Sequence, residues 1–419
     1  MLKLLILTSV FPYGSGEEFF EREILQWSHY SENFSITIMP LRRAESIRAV
    51  GSSIHLSDAL IQKNFYEKYG YALSSMCTRR FWAEVLSLAR SNRLSIRSIK
   101  SLIVCAGTIH LVKNKLRRFI EVNGNFDLGY SYWNEATAYA LCDLKEDGLI
   151  AHVISRAHGA DLYEYRRPSG YAPFKRFFIN KFDAVYVLAD KARSYMIENY
   201  DADPKVIKVA PLGVVCSAIK PDSPNDNILR VLSLSYCVQL KRVDKIIDSL
   251  ALLGDSCPQL KVNWTHIGGG ALLEDLKRYA AKRLEGVGNV SYSFLGPMRN
   301  SDVRAFLDAN YFDMIVNCSD LEGMPVSLME AMSYGIPAIA PDIGEVGSLV
   351  NEENGILIPA NPTVETIASA IQALAFSKEA SAARQRAEDL VRNSFNEDVN
   401  YIKFISDLSL LAGAANESR

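Results

Sequence analysis

Short runs rich in Val, Ile and Leu alternate with helical patterns along the chain, the pattern of parallel α/β architecture. In the first half the pattern predicts strands at Leu2–Ser9, Ser35–Pro40, Leu128–Tyr132, His152–Arg156, Ala184–Leu188 and Val206–Ala210. Helices fall between them, including Glu17–His29 and Lys191–Asn199. Residues 44–120 read as mostly helical and irregular. A polar stretch with two prolines, two aspartates and two asparagines (217–227) marks a linker. The alternation then restarts: strand Leu229–Ser233, helix Val243–Leu252, strand Lys261–Ile267, helix Ala271–Arg283, strand Val290–Phe294, helix Ser301–Asp308 and strand Met314–Asn317. Helices near Val364–Ala375, Lys378–Arg392 and Asn396–Leu411 close the chain. The expected organisation is a Rossmann-like domain over 1–215, a linker at 216–228, and a second Rossmann-like domain over 229–395. A last helix at 396–419 would return to the first domain. Two doubly wound halves of this kind are expected to take a ligand at the carboxyl ends of their strands, in a cleft between them.

The most informative stretch is NCSDLEGMPVSLMEAMSYGIPAIAPDIG, Asn317–Gly344. It reads as a buried strand end, an acidic-glycine loop, a helix over about 326–334 and a second strand. Pro325 near the first helical position suits a helix start, and Gly335-Ile336-Pro337 is a stop signal. Amides at a helix start favour a phosphate. Glu322 lies in the loop, and Glu330 one turn into the helix, where a carboxylate can accept two hydrogen bonds from a vicinal diol. Together they offer what holding a sugar nucleotide requires.

Length and composition allow this. The 419 residues suffice for two domains, and 48% hydrophobic with 22% charged residues is ordinary for a globular chain. The net charge of −2 points to no nucleic-acid partner. Seven scattered cysteines without a C-x-x-C suit reduced thiols in the cytoplasm and form no metal cage. The opening MLKLLILTSVF reads as a buried strand rather than a leader, because no small-residue cleavage site follows. No apolar run reaches the roughly eighteen residues needed to span a bilayer. From Met76 to Ile120, however, ten Lys/Arg face a single acid, Glu84, interleaved with Phe81, Trp82, Leu86, Leu111, Leu116 and Phe119. A basic amphipathic helix of this kind suits an anionic membrane surface, and the alternative is a solvated face on a packed helix.

The two glutamates separated by seven residues, followed by Ala331-Met332 and the Gly-Ile-Pro stop, resemble the E-x7-E signature of retaining GT-B glycosyltransferases, family four. The resemblance implies that Glu322 contacts the donor sugar, within the loop Gly323-Met324-Pro325, and that Glu330 binds the ribose. The loop Pro12-Tyr-Gly-Ser-Gly-Glu17 after the first strand resembles the family's N-terminal loop, with Gly14 and Gly16 at the matching positions. The stretch HGADLY, His158–Tyr163, resembles a segment of bacterial polysaccharide glycosyltransferases in which the histidine touches the donor sugar. Asp161 either faces the cleft or caps a turn. In Tyr236–Arg242 the family has an arginine and a lysine five apart on the pyrophosphate. Here Tyr236 stands for the arginine, and Lys241 keeps the lysine. Met298, after Gly296-Pro297, matches the loop that cradles the base. Gly268-Gly-Gly270 and Gly344 also resemble family loops, though Glu345 and Ser348 depart from the pattern at the latter.

The expected activity is transfer of a sugar from a nucleotide diphosphate sugar to a hydroxyl of a glycan acceptor, in bacterial surface polysaccharide synthesis. The acceptor is expected to be lipid-linked, the anomeric configuration retained and the enzyme peripheral on the cytoplasmic membrane. No metal is called for: Asp201-Ala-Asp203 reads as a turn before Pro204. Leaving-group charge would fall to Lys241 and helix-start amides. The alternatives are a nucleotide-sugar epimerase of the same fold and a non-catalytic sugar-nucleotide-binding protein.

Overall fold

The computed structural model describes residues 1–14, 16–30, 32–61 and 65–413. Ser15 of the glycine loop and the last six residues of the closing segment lie outside them. The chain gathers into two compact units, Met1–Leu212 with Asp398–Arg419, and Gly213–Glu397.

The first unit carries β1 (Leu2–Thr8), β2 (Phe34–Pro40), β3 (Ile54–Leu56), β4 (Phe126–Ser131), β5 (Ile150–Arg156), β6 (Ala184–Val187) and β7 (Ile207–Val209). They form a parallel sheet in the order β3-β2-β1-β4-β5-β6-β7, with Leu4 level with both Ile36 and Leu128. Leu4 to Leu7 are all buried, as a parallel strand covered on both faces requires. Helix Glu18–His29 inserts Phe20, Ile24 and Trp27 beneath β1 and β2. The same core takes Phe404, Ile405, Leu408 and Ala412 from the helix Glu397–Gly413, which is how the chain end belongs to this unit. Across that core lies a fully buried ion pair, Arg156 Nε to Glu23 Oε2 at 3.1 Å, with the guanidinium 4.2 Å from the Phe404 ring centre. Residues 44–120 form helices Phe65–Ser75, Arg79–Arg90 and Ile96–Asn123 together with the edge strand β3.

The second unit carries β8 (Ile228–Leu234), β9 (Lys261–Ile267), β10 (Val290–Gly296), β11 (Met314–Val316), β12 (Ala338–Pro341) and β13 (Gly355–Ile358), in the parallel order β10-β9-β8-β11-β12-β13. The polar stretch after Gly213 packs on this unit: Ser217 Oγ donates to Asp308 at 2.8 Å and Lys220 pairs with Glu388. Both sheets thus have the Rossmann-like order, with the direction of winding reversing between β1 and β4 and between β8 and β11. Ligands of such sheets bind at the carboxyl ends flanking that reversal.

Candidate active site

In the second unit the loops leaving β8 and β11 meet on one carboxylate. Glu322 is 7% exposed, and its Oε1 accepts from Lys241 Nζ at 2.6 Å, Ser319 Oγ at 2.6 Å and Asn317 Nδ2 at 3.0 Å. The Ser319 amide donates to Asn317 Oδ1 at 2.8 Å, and the Asp320 amide donates across to the Leu240 carbonyl at 2.8 Å. The two loops are therefore tied at backbone and side chain. Gly344 lies against the same turn: its φ is +53°, and a Cβ there would sit 2.1 Å from the Glu322 carbonyl oxygen. Only glycine fits such an approach.

Met324 and Pro325 are buried, and Pro325 is the N-cap of helix Val326–Met332, which starts where the sequence suggests and ends two residues sooner. That helix closes its first turn with Leu328 and Met329 amides on the Pro325 carbonyl, and the amides before them have no intrahelical acceptor. Glu330, half-buried, accepts from Asn300 Nδ2, whose Oδ1 in turn accepts from Arg304 at 2.7 Å. Met298 is partly buried in the loop between β10 and helix Asn300–Ala309. Tyr236, in the place of the family's arginine, is 58% exposed. Arg242 is bound to Asp244 and Asp320, at 2.9 and 3.4 Å. Beneath this loop Ser233 Oγ meets His266 Nδ1 at 2.8 Å and Cys237 Sγ meets Nε2 at 3.2 Å. Burial holds the His266 imidazole neutral, its pKa lowered to about 4.

In the first unit another glutamate gathers the switch-point loops. Glu17 accepts from the amides of Ser9 (2.8 Å), Val10 (2.8 Å) and Phe11 (2.7 Å), and from Trp133 Nε1 at 2.6 Å. Gly14 and Gly16 shape that loop with φ of +60° and +97°. His158, 8% exposed, follows β5, its ring between Tyr132 and Trp133 at 4.6 and 4.7 Å centre to centre. Neither ring nitrogen has a hydrogen-bond partner among the described residues. Burial, with Arg156 adding to it, lowers its pKa to about 3, so the ring is neutral at physiological pH. Asp161 is a cap: it accepts from the amides of His158 at 2.5 Å and Asn134 at 2.6 Å. Burial raises its carboxyl, to about 6, against the pull of Lys175 and those amides.

The second unit thus brings together Lys241, Glu322, Gly323, Met324 and Pro325, with Glu330 on the helix that follows. Gly14, Gly16 and His158 lie in the first unit. Sequence reasoning missed Asn317 and Ser319, although Asn-x-Ser-x-x-Glu at a strand end was readable as a carboxylate's donor set. It also missed the role of Glu17. Asp203 stands in a turn, accepting from the Lys205 amide at 2.8 Å. Among the described residues no group of three His, Cys, Asp or Glu side chains is placed to hold a metal ion.

Part of the apolar side of the basic segment packs inward. Phe81, Leu111 and Leu116 are core residues rather than a surface face. Arg80 pairs with Asp143, Arg93 with Glu164, and Lys113 and Arg117 with Asp147. Trp82 and Leu86 remain exposed on helix Arg79–Arg90, between exposed Arg79 and Arg90. Among the described residues no helix is long and apolar enough to cross a membrane.

Comparison with known proteins gives the class first. The fold is GT-B-like, two Rossmann-like α/β domains, as in solved structures spanning nearly all of this chain. Residues 226–376 match the family described as Glycosyl transferases group 1. The galactosyltransferase WaaB of the lipopolysaccharide outer core superposes with a TM-score of 0.68 at 14% identity, covering 98% of this chain and 100% of that one. Anabaena HepE in complex with UDP and glucose gives 0.62 at 17%, with 98% and 100% covered. In sequence, the chain is similar to the Escherichia coli O-antigen biosynthesis glycosyltransferase WbnH, 27% identical over 251 residues. That match covers 58% of this chain and 66% of the relative, just under two thirds of its length.

Proposed function

We propose that the protein is a glycosyltransferase that moves a sugar from a nucleotide diphosphate sugar to a hydroxyl of a glycan acceptor, with retention, in bacterial surface polysaccharide synthesis. The observation that carries this is the Lys241–Glu322 pair with Asn317 and Ser319, inside the region that matches the glycosyltransferase family. A carboxylate placed beside an ammonium on two loops tied at the backbone sets a sugar hydroxyl and a diphosphate side by side. Glu322 positions the donor sugar, Lys241 the diphosphate, and Glu330 the ribose. The main chain around Met298 takes the base, and the turn Gly323-Met324-Pro325 borders the phosphates. Neutral His158 accepts from or donates to a sugar hydroxyl, which a neutral imidazole with two unengaged nitrogens can do. Leaving-group charge falls to Lys241 and the helix-start amides, with no metal assigned a role. The similarity to the O-antigen glycosyltransferase and to the UDP-bound HepE structure supports this donor and setting.

The acceptor is a lipid-linked glycan, and the exposed Arg79, Trp82, Leu86 and Arg90 face makes peripheral contact with the anionic inner surface of the cytoplasmic membrane. Tyr236 in the arginine position favours one rival, a sugar-nucleotide-binding protein without transfer. The test is thermal shift against a panel of nucleotide diphosphate sugars and their nucleosides, with wild type, Glu330→Ala and Lys241→Met. A bound nucleotide at a hundredfold its Kd adds about 2.7 kcal/mol of stability. The expected result is a shift for one nucleotide series that Glu330→Ala weakens, and a preference for diphosphate over nucleoside that Lys241→Met abolishes. No shift with any nucleotide refutes the donor site. Binding without turnover over any acceptor supports the rival.

A further inference from the structure

The first unit contains a half-open cavity of about 450 Å³ whose floor includes Ser9 and Trp133, at the carboxyl ends of β1 and β4. One wall is a single face of helix Ile96–Asn123, where Arg97, Lys100, Ser101, Val104 and Thr108 recur at helical spacing. The other wall is the turn from Arg167 to Pro173. Three cations line it, Arg97, Lys100 and Arg167, against one carboxylate, Glu135, which Arg167 already engages at 2.6 Å. The lining therefore carries a surplus of two positive charges in a chain whose net charge is −2.

That surplus is locally unfavourable. Arg97 and Lys100 are like charges three residues apart, which repel. They lie in the first turns of a helix whose positive dipole end favours acids, and the first turn has no acidic residue. Their neighbours Arg93, Lys113 and Arg117 have carboxylate partners within the unit, whereas no hydrogen bond or ion pair joins the Arg97 or Lys100 side chain to the described residues. Arg167 adds a buried Nε with no acceptor. Where a local rule is broken without an internal gain, a ligand is the expected compensation. The apolar portion, including Val104, Ala172, Pro173 and the Trp133 ring, suits the body of a sugar. Trp133 also packs against His158, with the two ring planes tilted by 50°.

We propose that this cavity seats the acceptor and selects one bearing an anionic group, a phosphate or a carboxylate, held between Arg97 and Lys100 with the adjoining sugar against Trp133. The proposal rests on the transferase reading for the word acceptor; the anion selectivity of the cavity stands by itself. It is tested on the full chain by calorimetric titration with three probes: farnesyl diphosphate for a lipid-borne phosphate, glucuronic acid for a sugar carboxylate, and methyl glucoside as the neutral control. Wild type, R97Q/K100Q and Arg118→Gln are compared; Arg118 is an exposed cation on the same helix outside the cavity lining. Saturating nucleotide blocks the donor site in every titration.

The expected result is that at least one anionic probe binds and the neutral one does not. R97Q/K100Q weakens binding tenfold or more, and Arg118→Gln leaves it unchanged. Which anionic probe binds tells phosphate from carboxylate. R97Q/K100Q is also expected to melt no lower than wild type, because relieving two misplaced cations does not destabilise the helix. Equal binding of methyl glucoside, an anionic affinity indifferent to R97Q/K100Q, or no binding of either anionic probe at millimolar concentration overturns the proposal. Nucleotide affinity is read separately, so its loss tells against the donor-site assignment and not against the cavity.

Discussion

Lys241 and Glu322 offer the sharpest quantitative test. Their side chains are 21% and 8% exposed and 2.6 Å apart, between a surface ion pair, worth about 0–1 kcal/mol, and a fully buried one, where removing one partner costs about 3–5 kcal/mol. Discounting for the lysine's exposure, Lys241→Met is expected to destabilise the second unit by about 1–3 kcal/mol, because Glu322 loses the ammonium while the donors Ser319 and Asn317 that remain on Oε1 are neutral. Glu322→Gln falls in the same range, since it strands the ammonium. K241M/E322Q removes both charges together while Gln still accepts from Ser319, so the pair is expected to cost no more than either single change. The coupling is therefore at least as large as one single loss, about 1–3 kcal/mol, well above the ~0.5 kcal/mol within which independent sites add. Urea unfolding followed by 19F NMR of 5-fluorotryptophan isolates this unit, because Trp264 is its single tryptophan and is fully buried. Additive single-mutant losses would refute the reasoning and demote the pair to a crossing of two solvated side chains.

Two further outcomes use the same signal. Gly344→Ala places a Cβ 2.1 Å from the Glu322 carbonyl at φ +53°, so a loss of at least about 2 kcal/mol is expected from strain and clash combined, with donor binding falling in parallel; unchanged stability and binding would mean that this turn does not hold Glu322. The His266 pKa is lowered to about 4 against about 6.5 unfolded, so the unfolded state binds more protons between those values and the contribution, complete above pH 6.5, is lost as pH falls toward 4. The stability gap between wild type and His266→Asn should therefore narrow by up to about 1.4 kcal/mol per pH unit in that window, and a constant gap would show that the imidazole is not held neutral.

The parts legible in the sequence were those written by consecutive residues. β1, β2 and β8 are runs of mostly apolar residues, β9 alternates polar and apolar ones, and Lys261–Ile267 was read to the residue. The strands missed, β3 and β13, are three and four residues long and lie at sheet edges, where only one neighbour pairs and burial is partial. Glu322 and Lys241 were legible because their loops carry short spaced motifs, but their direct contact spans 81 positions. The enclosure of His158 comes from Tyr132 and Trp133, on the loop after a different strand. Counting charges over 76–120 overstates the free charge for the same reason: the carboxylates that answer Arg80, Arg93 and Arg117 lie at Asp143, Glu164 and Asp147, beyond the window.

Both units tie their switch-point loops with a glutamate, yet the two carboxylates are not equivalent. Glu17 holds three backbone amides and an indole, so releasing any one of them unravels the turn that those amides define. Glu322 holds side-chain donors on Oε1, from Lys241, Ser319 and Asn317, each of which can rotate to a ligand without moving the backbone. A carboxylate bound by amides is scaffolding; one bound by rotatable donors can exchange partners as a diphosphate or a sugar hydroxyl arrives. The backbone link from Asp320 to Leu240 keeps the loops in place while that exchange happens, so the second unit combines a fixed frame with a replaceable inner set of bonds. Under the proposed function, that difference, rather than the presence of a buried glutamate, suits Glu322 to chemistry and Glu17 to architecture.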